Sequence, residues 1–390
     1  MYVTRPLSLY KRDPSALSSP PPEGPNSGIL VIQDEEAEPT CCFGLFKSHR
    51  VKNLPFPQNK NLKVLYDSGG EHNHVSINRV LFIPVLNLPL SSNLYYVIER
   101  KGSDKGKAYS SSNDEDNMEM CCFGCCISDM EPQALDPRDI YEQFEVQKRD
   151  WGGYVAKSVA PDGYPPRFLR RKGWRVSAST PYDFTLNEAP GLDRNLRARL
   201  PDFNFPLSEK TCAPVVVGKW YCPFMFIKEQ GKLKGQMSGS RYYTMTLEQR
   251  WERIFECDNI EGKNSVAVDV VVKKEVVAVA GREGVLDEKN VVDGGVMWFR
   301  SSDDGGREAS VGLSLAVVER VKWEQERVGW DGGRERRVSV KKVEEFGGIG
   351  ERKKFGCYVL VERFVLRRMD GSLVLIWDFN HTHQIRSKWE

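Results

Sequence analysis

The chain has 390 residues, with 56 Lys and Arg against 54 Asp and Glu, a net charge of +2, and 40% apolar and 11% aromatic residues. That length favours two domains and that composition supplies folded cores. It argues against wholesale disorder, a polytopic membrane protein, and the basic surplus that non-specific nucleic-acid binding needs.

The start, Met1-Tyr-Val-Thr-Arg-Pro6, has no apolar stretch of the kind a secretory signal requires, and no run of about 20 apolar residues follows. An intracellular setting is expected, cytoplasmic with the nucleus also open, in which the ten cysteines stay as thiols or bind metal. Residues 1–27 read as an N-terminal arm, Pro/Ser-rich from residue 11, with Ser18-Ser-Pro-Pro-Pro22 favouring polyproline II. Residues 28–150 read as a β-rich unit with Cys-rich loops. Its apolar runs at Gly28–Ile32, Val80–Val85 and Tyr95–Ile98 are bounded by Gly, Pro, Asn and Ser. The polar, acidic stretch 102–120 reads as a disordered loop. Asp136-Pro137 predicts a short helix capped by Asp136.

Residues 151–210 read as an irregular connection with one short helix near Leu192–Leu200, and residues 211–390 as an antiparallel β domain. Valine-dense 266–280 favours strands. The stretch from Tyr243 to Phe255 fits a strand or a helix. Cys357–Arg368 and Leu373–Phe379 flank Asp370-Gly371, a pair that predicts a type I′ hairpin. The whole is therefore mainly β, antiparallel sheets or sandwich-like units joined by short helices. The lack of long helices between runs argues against a doubly wound parallel sheet.

Two short patterns recur. Tyr96-Val-Ile-Glu-Arg100, Met245-Thr-Leu-Glu-Gln249, Ala316-Val-Val-Glu-Arg320 and Val359-Leu-Val-Glu-Arg363 each end an apolar run in Glu and then Arg or Gln. They read as strands whose polar pair meets a neighbour across a sheet. Cys41-Cys-Phe-Gly44 and Cys121-Cys-Phe-Gly124 share Ser seven residues after the first Cys (Ser48, Ser128) and Pro nine further on (Pro57, Pro137). This spacing suggests that 28–57 and 95–137 are equivalent units.

Candidate chemistry is sparse. Cys121, Cys122, Cys125 and Cys126 contain a C-x₂-C pair that Cys41 and Cys42 could complete as a zinc site, with His72 and His74 as further ligands. The same six cysteines are candidates for S-acylation, which would hold the protein at a membrane surface. Thiols packed or solvated in a loop are the commoner state. His381-x-His383 puts two imidazoles on one strand face, a spacing that suits metal but more often serves a surface or core role. No G-x-S-x-G nucleophile turn or G-x₄-G-K-[ST] phosphate loop is present, Gly347-Gly-Ile-Gly350 reads as a turn, and no catalytic or cofactor-binding residue stands out. Trp323, Trp330, Trp377 and Trp389 could serve a sugar or peptide face, though packing is their usual fate.

Five strings combine: Met1-Tyr-Val-Thr-Arg-Pro-Leu-Ser-Leu-Tyr10, Pro22 to Glu36 (PEGPNSGILVIQDEE), Thr40-Cys-Cys-Phe-Gly44, Phe355-Gly-Cys-Tyr-Val-Leu-Val-Glu-Arg-Phe364 and His381-Thr-His-Gln-Ile-Arg-Ser-Lys-Trp389. Together they resemble the plant family catalogued as domain of unknown function 1262, over nearly the whole chain. The resemblance implies a land-plant intracellular protein and carries over no site residue. The expected function is a non-enzymatic interaction module with a protein partner. The alternatives are a membrane-peripheral protein anchored by acylated cysteines and an enzyme with an unrecognised site in a β-sandwich cleft.

Overall fold

A computed structural model describes residues 1–41, 46–67, 75–113, 127–258, 265–287, 295–302, 305–333, 335–346 and 353–390. Strand accounts for 48% of the protein and helix for 15%, so the fold is mainly β, built of antiparallel sheets with few short helices. The chain forms two compact units. One comprises Met1–Ala189, Tyr221–Tyr242 and Asp293–Gly295, the other Pro190–Trp220, Tyr243–Val292 and Val296–Glu390.

The first unit begins with β1 (Tyr2–Pro6), paired in parallel with β2 (Gly28–Ile32). Met1, Tyr2 and Val3 are buried, and residues 7–12 form helix α1 (Leu7–Arg12). The expected N-terminal arm thus starts as core: the apolar and β-branched residues Met1 to Thr4 ahead of the Pro/Ser stretch suffice to start a strand. β3 (Thr40–Cys41) and β4 (Phe46–Lys47) form a short pair. A seven-stranded sheet follows from β5 (Arg50–Val51), β6 (Asn61–Asp67), β7 (Val75–Pro84), β8 (Leu94–Glu99), β9 (Gln143–Lys148), β10 (Tyr154–Ser158) and β11 (Arg175–Ser179), in the order β10-β9-β8-β7-β6-β11-β5. Its core is aromatic: Phe56, Phe82, Tyr95, Tyr154 and Trp174 interlock, with Phe82 stacked on Trp174 at 6.2 Å. The Trp174 indole N–H donates to the Leu169 carbonyl at 2.8 Å, which satisfies its polar edge.

Several local expectations are corrected here. Within 102–120, residues 102–113 are ordered by Ala108, which bridges to Ile98 and Gln133, while 114–120 lie outside the described residues. The turn at Asp136 leads not to an Asp136-capped helix but to a single 3-10 turn, Ile140–Glu142, capped by Asp139, whose carboxylate accepts from Tyr141 N–H. Within 151–210 lie β10, β11 and a one-turn helix, Arg167–Arg170, as well as the predicted short helix. The two Cys-Cys-Phe-Gly copies lie largely outside the described residues, and their flanks differ. β2 lies in a parallel pair, whereas β8 runs antiparallel between β7 and β9, which does not support equivalence of 28–57 and 95–137.

The second unit takes most of the remaining strands: β12 (Gly191–Leu192), β13 (Val215–Pro223), then after β14 (Ile227–Glu229) β15 (Tyr242–Asp258), β16 (Ser265–Lys273), β17 (Glu275–Val279), β18 (Arg282–Asp287), β19 (Val296–Ser302), β20 (Glu308–Ser314), β21 (Arg337–Glu345), β22 (Lys354–Arg368) and β23 (Leu373–Trp389). β15, β22 and β23 form its long antiparallel centre, and β16 pairs separately with β21. Strand wins over helix at Tyr243–Phe255 because the segment is zipped to β22, with one bulge between Arg253 and Phe255. The hairpin between β22 and β23 is not type I′. Gly371 (φ +85°) is its one positive-φ residue, and Gly371 N–H donates to the Arg368 carbonyl, giving a type I turn closed by a glycine bulge. Helix α2 (Arg194–Arg199) is capped by Asp193, which accepts from Leu196 N–H at 2.9 Å. The Ala316–Arg320 copy of the Glu-Arg pattern lies not on a strand but in helix α3 (Leu315–Glu326), where Val317, Val318 and Val321 are buried: packing overrides the β preference of valine. Residues 347–350 lie outside the described residues.

Candidate functional site: a charged centre and its cavity

On β22 the side chains alternate, and Leu360, Glu362 and Phe364 share one face. Opposite Glu362 stand Gln249 on β15 and Phe379 on β23, and opposite Leu360 stands His381. An ionisable residue therefore sits in an apolar row, where an unpaired charge would be costly. Two elements supply its partners. Helix α2 turns Arg197 inward, and α3 brings Arg320, Glu324 and Gln325. Arg197 is 5% exposed, and Gln249, Glu324, Gln325, Glu362 and His381 are each at 1% or less.

The hydrogen bonds around Glu362 fill its acceptor capacity. Arg197 Nε donates to Oε1 at 2.8 Å and Nη2 to Oε2 at 2.5 Å, while Gln249 Nε2 donates to Oε1 and Gln325 Nε2 to Oε2, each at 2.8 Å. Four donors match the roughly four lone-pair positions of a carboxylate. Burial alone would raise this carboxyl. His381, whose Nε2 lies 3.7 Å from Oε2, and the hydrogen-bonded Arg197 guanidinium outweigh it and hold Glu362 well below the usual carboxylate range. An ionised Glu362 accepts only, so both glutamine amides must turn their NH₂ groups toward it. Gln325 Oε1 then faces His381 Nε2 at 2.9 Å, which makes Nε2 the protonated nitrogen of that ring. Gln249 Oε1 is left buried with no hydrogen-bond partner. Glu324 completes the cluster, paired with Arg197 at 3.1 Å and Arg320 at 2.5 Å.

A cavity of about 290 Å³ lies against this centre. Arg197, Gln249, Glu362 and His381 contribute its polar lining, and Leu192, Leu200, Val328 and Leu360 its apolar lining. Arg194 and Ala198, four residues apart on α2 and both exposed, also line it and mark the side open to solvent. Leu200 is held at φ +59°, ψ 158°, immediately before Pro201. A side-chain-bearing residue seldom occupies that region. The conformation is fixed from both sides: Leu200 N–H reaches the Arg197 carbonyl at 3.4 Å, and the Trp251 indole N–H donates to the Pro201 carbonyl at 3.0 Å.

Cys41 ends β3, and Cys42, Cys121, Cys122, Cys125 and Cys126, like His72 and His74, lie outside the described residues. Among the described residues no three His, Cys, Asp or Glu side chains converge as a metal site. His381 and His383 do lie together, ring centroids 5.4 Å apart, but they diverge in role. His381 joins the charged centre, and His383 Nε2 reaches the Val328 carbonyl at 3.1 Å. Of the four tryptophans, Trp377 and Trp330 pack on Phe379, Trp389 packs on Phe355, and Trp323 lies between the guanidinium groups of Arg320 and Arg327. Three of the four Glu-Arg/Gln patterns do supply the centre, through Gln249, Arg320 and Glu362, and the expected cross-sheet pairing holds for Gln249 with Glu362 and Glu248 with Arg363. Arg197 and Gln325 carry no comparable sequence signal.

No helix among the described residues is long and apolar enough to cross a membrane. No curated protein matches the chain. A crystal structure of Cry35Ab1 is similar at 12% identity and a TM-score of 0.49, covering 86% of this chain and 90% of that one. The resemblance read from the sequence is borne out over part of the chain: residues 23–123 match the model of the family described as protein of unknown function (DUF1262).

Proposed function

We propose that this protein is a non-enzymatic binding module and that the cavity in its second unit takes a small polar ligand. The observation that carries this reading is the lining of the cavity, which sets Arg197, Gln249, Glu362 and His381 beside Leu192, Leu200, Val328 and Leu360. The surroundings favour recognition over turnover. The Glu362 carboxylate has no acceptor position left to receive a proton, His381 Nε2 is committed to Gln325, and among the described residues no Ser, Thr or Cys lines the cavity.

The test is a fragment screen by ligand-observed NMR on the full chain and on Gln249→Met. Polar fragments should bind the native protein and lose that binding in the variant. Failure of every fragment to bind the native chain contradicts the proposal, and conversion of a fragment to product would instead support the cleft-enzyme alternative.

A further inference from the structure

We propose that the turn between β9 and β10, in the first unit, docks on an anionic lipid surface, with Trp151 entering the headgroup layer and a ring of basic side chains held against the lipid phosphates and carboxylates. Trp151 is 94% exposed, and among the described residues only Tyr182 rivals it, the other exposed large apolar side chains reaching at most 68%. Tryptophan is normally well buried. An indole left in water at the tip of a turn has the amphipathic character that places tryptophan at membrane–water interfaces.

The turn that presents it is fixed at its base and open at its tip. Arg149 N–H donates to the Gly153 carbonyl and Gly152 N–H to the Arg149 carbonyl, each at 3.0 Å, with Gly152 and Gly153 at φ +90° and +73°. A Cβ on Gly152 would meet nothing within 4 Å, so the turn projects. One on Gly153 would lie 2.6 Å from the Gly173 carbonyl oxygen, so the base is pressed onto the segment that opens β11. Tyr154 N–H donates to the Trp174 carbonyl and Gly173 N–H to the Tyr154 carbonyl, both at 2.8 Å, and lock the two segments together.

These contacts gather cations around the indole. Lys148 Nζ donates to Asn53 Oδ1 at 2.8 Å, which draws in the neighbouring Lys52, and the Arg149 guanidinium lies beside Gly173. Arg171, Lys172 and Arg175 come from the locked segment, Arg171 lying 4.8 Å from the centre of the Tyr66 ring. Lys52, Lys148, Lys172 and Arg175 are exposed, and among the described residues none of the six is ion-paired. Against them stand Asp150 in the turn and Asp67 at the end of β6, while Glu145, farther along β9, faces Lys157 across the hairpin. With both aspartates counted the cations keep a clear excess, which favours anionic lipid. A projecting turn with one aromatic ring suits a flat surface; single-stranded nucleic acid calls for a groove with successive stacking rings.

The test is co-sedimentation of the bacterially expressed, unacylated full chain with vesicles of phosphatidylcholine alone or with roughly one-third phosphatidylserine. The chain should pellet only with the anionic vesicles and be released by high salt. Lys52→Gln/Lys172→Gln should weaken binding about thirtyfold, at roughly fivefold for each charge near the surface. Trp151→Ala should weaken it about tenfold and abolish the blue shift in tryptophan emission that accompanies binding of the native chain. Tyr182→Ala, beyond the other end of β11, should leave it unchanged. The proposal is overturned if anionic vesicles fail to pellet the chain, if neither variant weakens binding, if Tyr182→Ala weakens it as much as Trp151→Ala, or if a single-stranded oligonucleotide binds through Trp151 and vesicles do not. None of these results bears on the cavity of the second unit.

Discussion

The centres of the two units solve the burial problem in opposite ways. In the first, Phe56 lies 4.8 Å from Phe82, 5.2 Å from Tyr154 and 5.6 Å from Tyr95, and polar tips such as the Tyr154 hydroxyl, 3.1 Å from the Val51 carbonyl, are turned to backbone acceptors. In the second, a carboxylate takes the central place and is tolerated because four donors surround it. The aromatic centre draws its stability from apolar area and shape, which do not depend on pH. A charged centre depends on every partner being present and in one protonation state, and replacement of such a group by apolar residues is often neutral or stabilising. A fold that needed only stability would have no use for it. Its cost is understandable where the polar atoms also face a cavity.

The contrast can be broken most forcefully at its two hubs. Phe56→Ala and Glu362→Gln should each cost about 3–5 kcal/mol in urea unfolding at neutral pH, the first by opening a cavity and the second by taking from Arg197 one of its two carboxylate partners. They differ in their response to acid. The folded pKa of Glu362 is depressed, so its contribution is fully present above the ordinary glutamate value of about 4.3 and fades as pH falls below it. The penalty of Glu362→Gln should therefore shrink on acidification, while that of Phe56→Ala should not change. The double variant Arg197→Met/Glu362→Leu should recover most of the loss, whereas no polar partner rescues Phe56→Ala.

A smaller effect of opposite sign is expected in the first unit. Burial, aided by the charge of Asp139 and Asp136 and opposed by the hydrogen bond from Asp136 N–H, pushes the Glu142 carboxyl up to about 8. A raised carboxyl is fully stabilising only below its unfolded value, and that contribution is lost as pH rises toward 8. Glu142→Gln, which keeps an acceptor for Asp136 N–H, should gain about 1–3 kcal/mol at pH 8 and little at pH 4. The smallest change is Asp193→Ala, which removes the cap of α2 and should cost about 1 kcal/mol. Because α2 carries Arg197 and Arg194, this variant should weaken ligand binding more than its modest loss in melting temperature suggests.

Much of the fold was legible in the sequence because its signals are local. The Leu373–Phe379 strand, the turn at Asp370-Gly371 and the short helix near Leu192–Leu200 all rest on residues a few positions apart. The misreadings lie where distant contacts decide. Met1–Val3 are core because β1 finds β2 some 26 residues later, and the Ala316–Arg320 segment becomes helical because its valines pack that way. The site was half visible. Glu362 falls between Leu360 and Phe364 on an alternating strand, a charged residue on the apolar face that marks it for a buried partner. That the partner is Arg197, 165 residues away, is a matter of tertiary folding and leaves no trace in spacing.

The most direct test of the charged centre is the ionisation of Glu362 itself. Carbon-13 NMR of protein labelled at glutamate carboxyls, with the resonance identified by its absence in Glu362→Gln, should show Glu362 still ionised when the pH has dropped below 4 and exposed glutamates are taking up protons. A Glu362 signal that titrates at or above the ordinary glutamate value would mean that the carboxylate is not saturated. It would then be free to accept a proton, and the reading of the cavity as a binding site rather than a reaction centre would be contradicted.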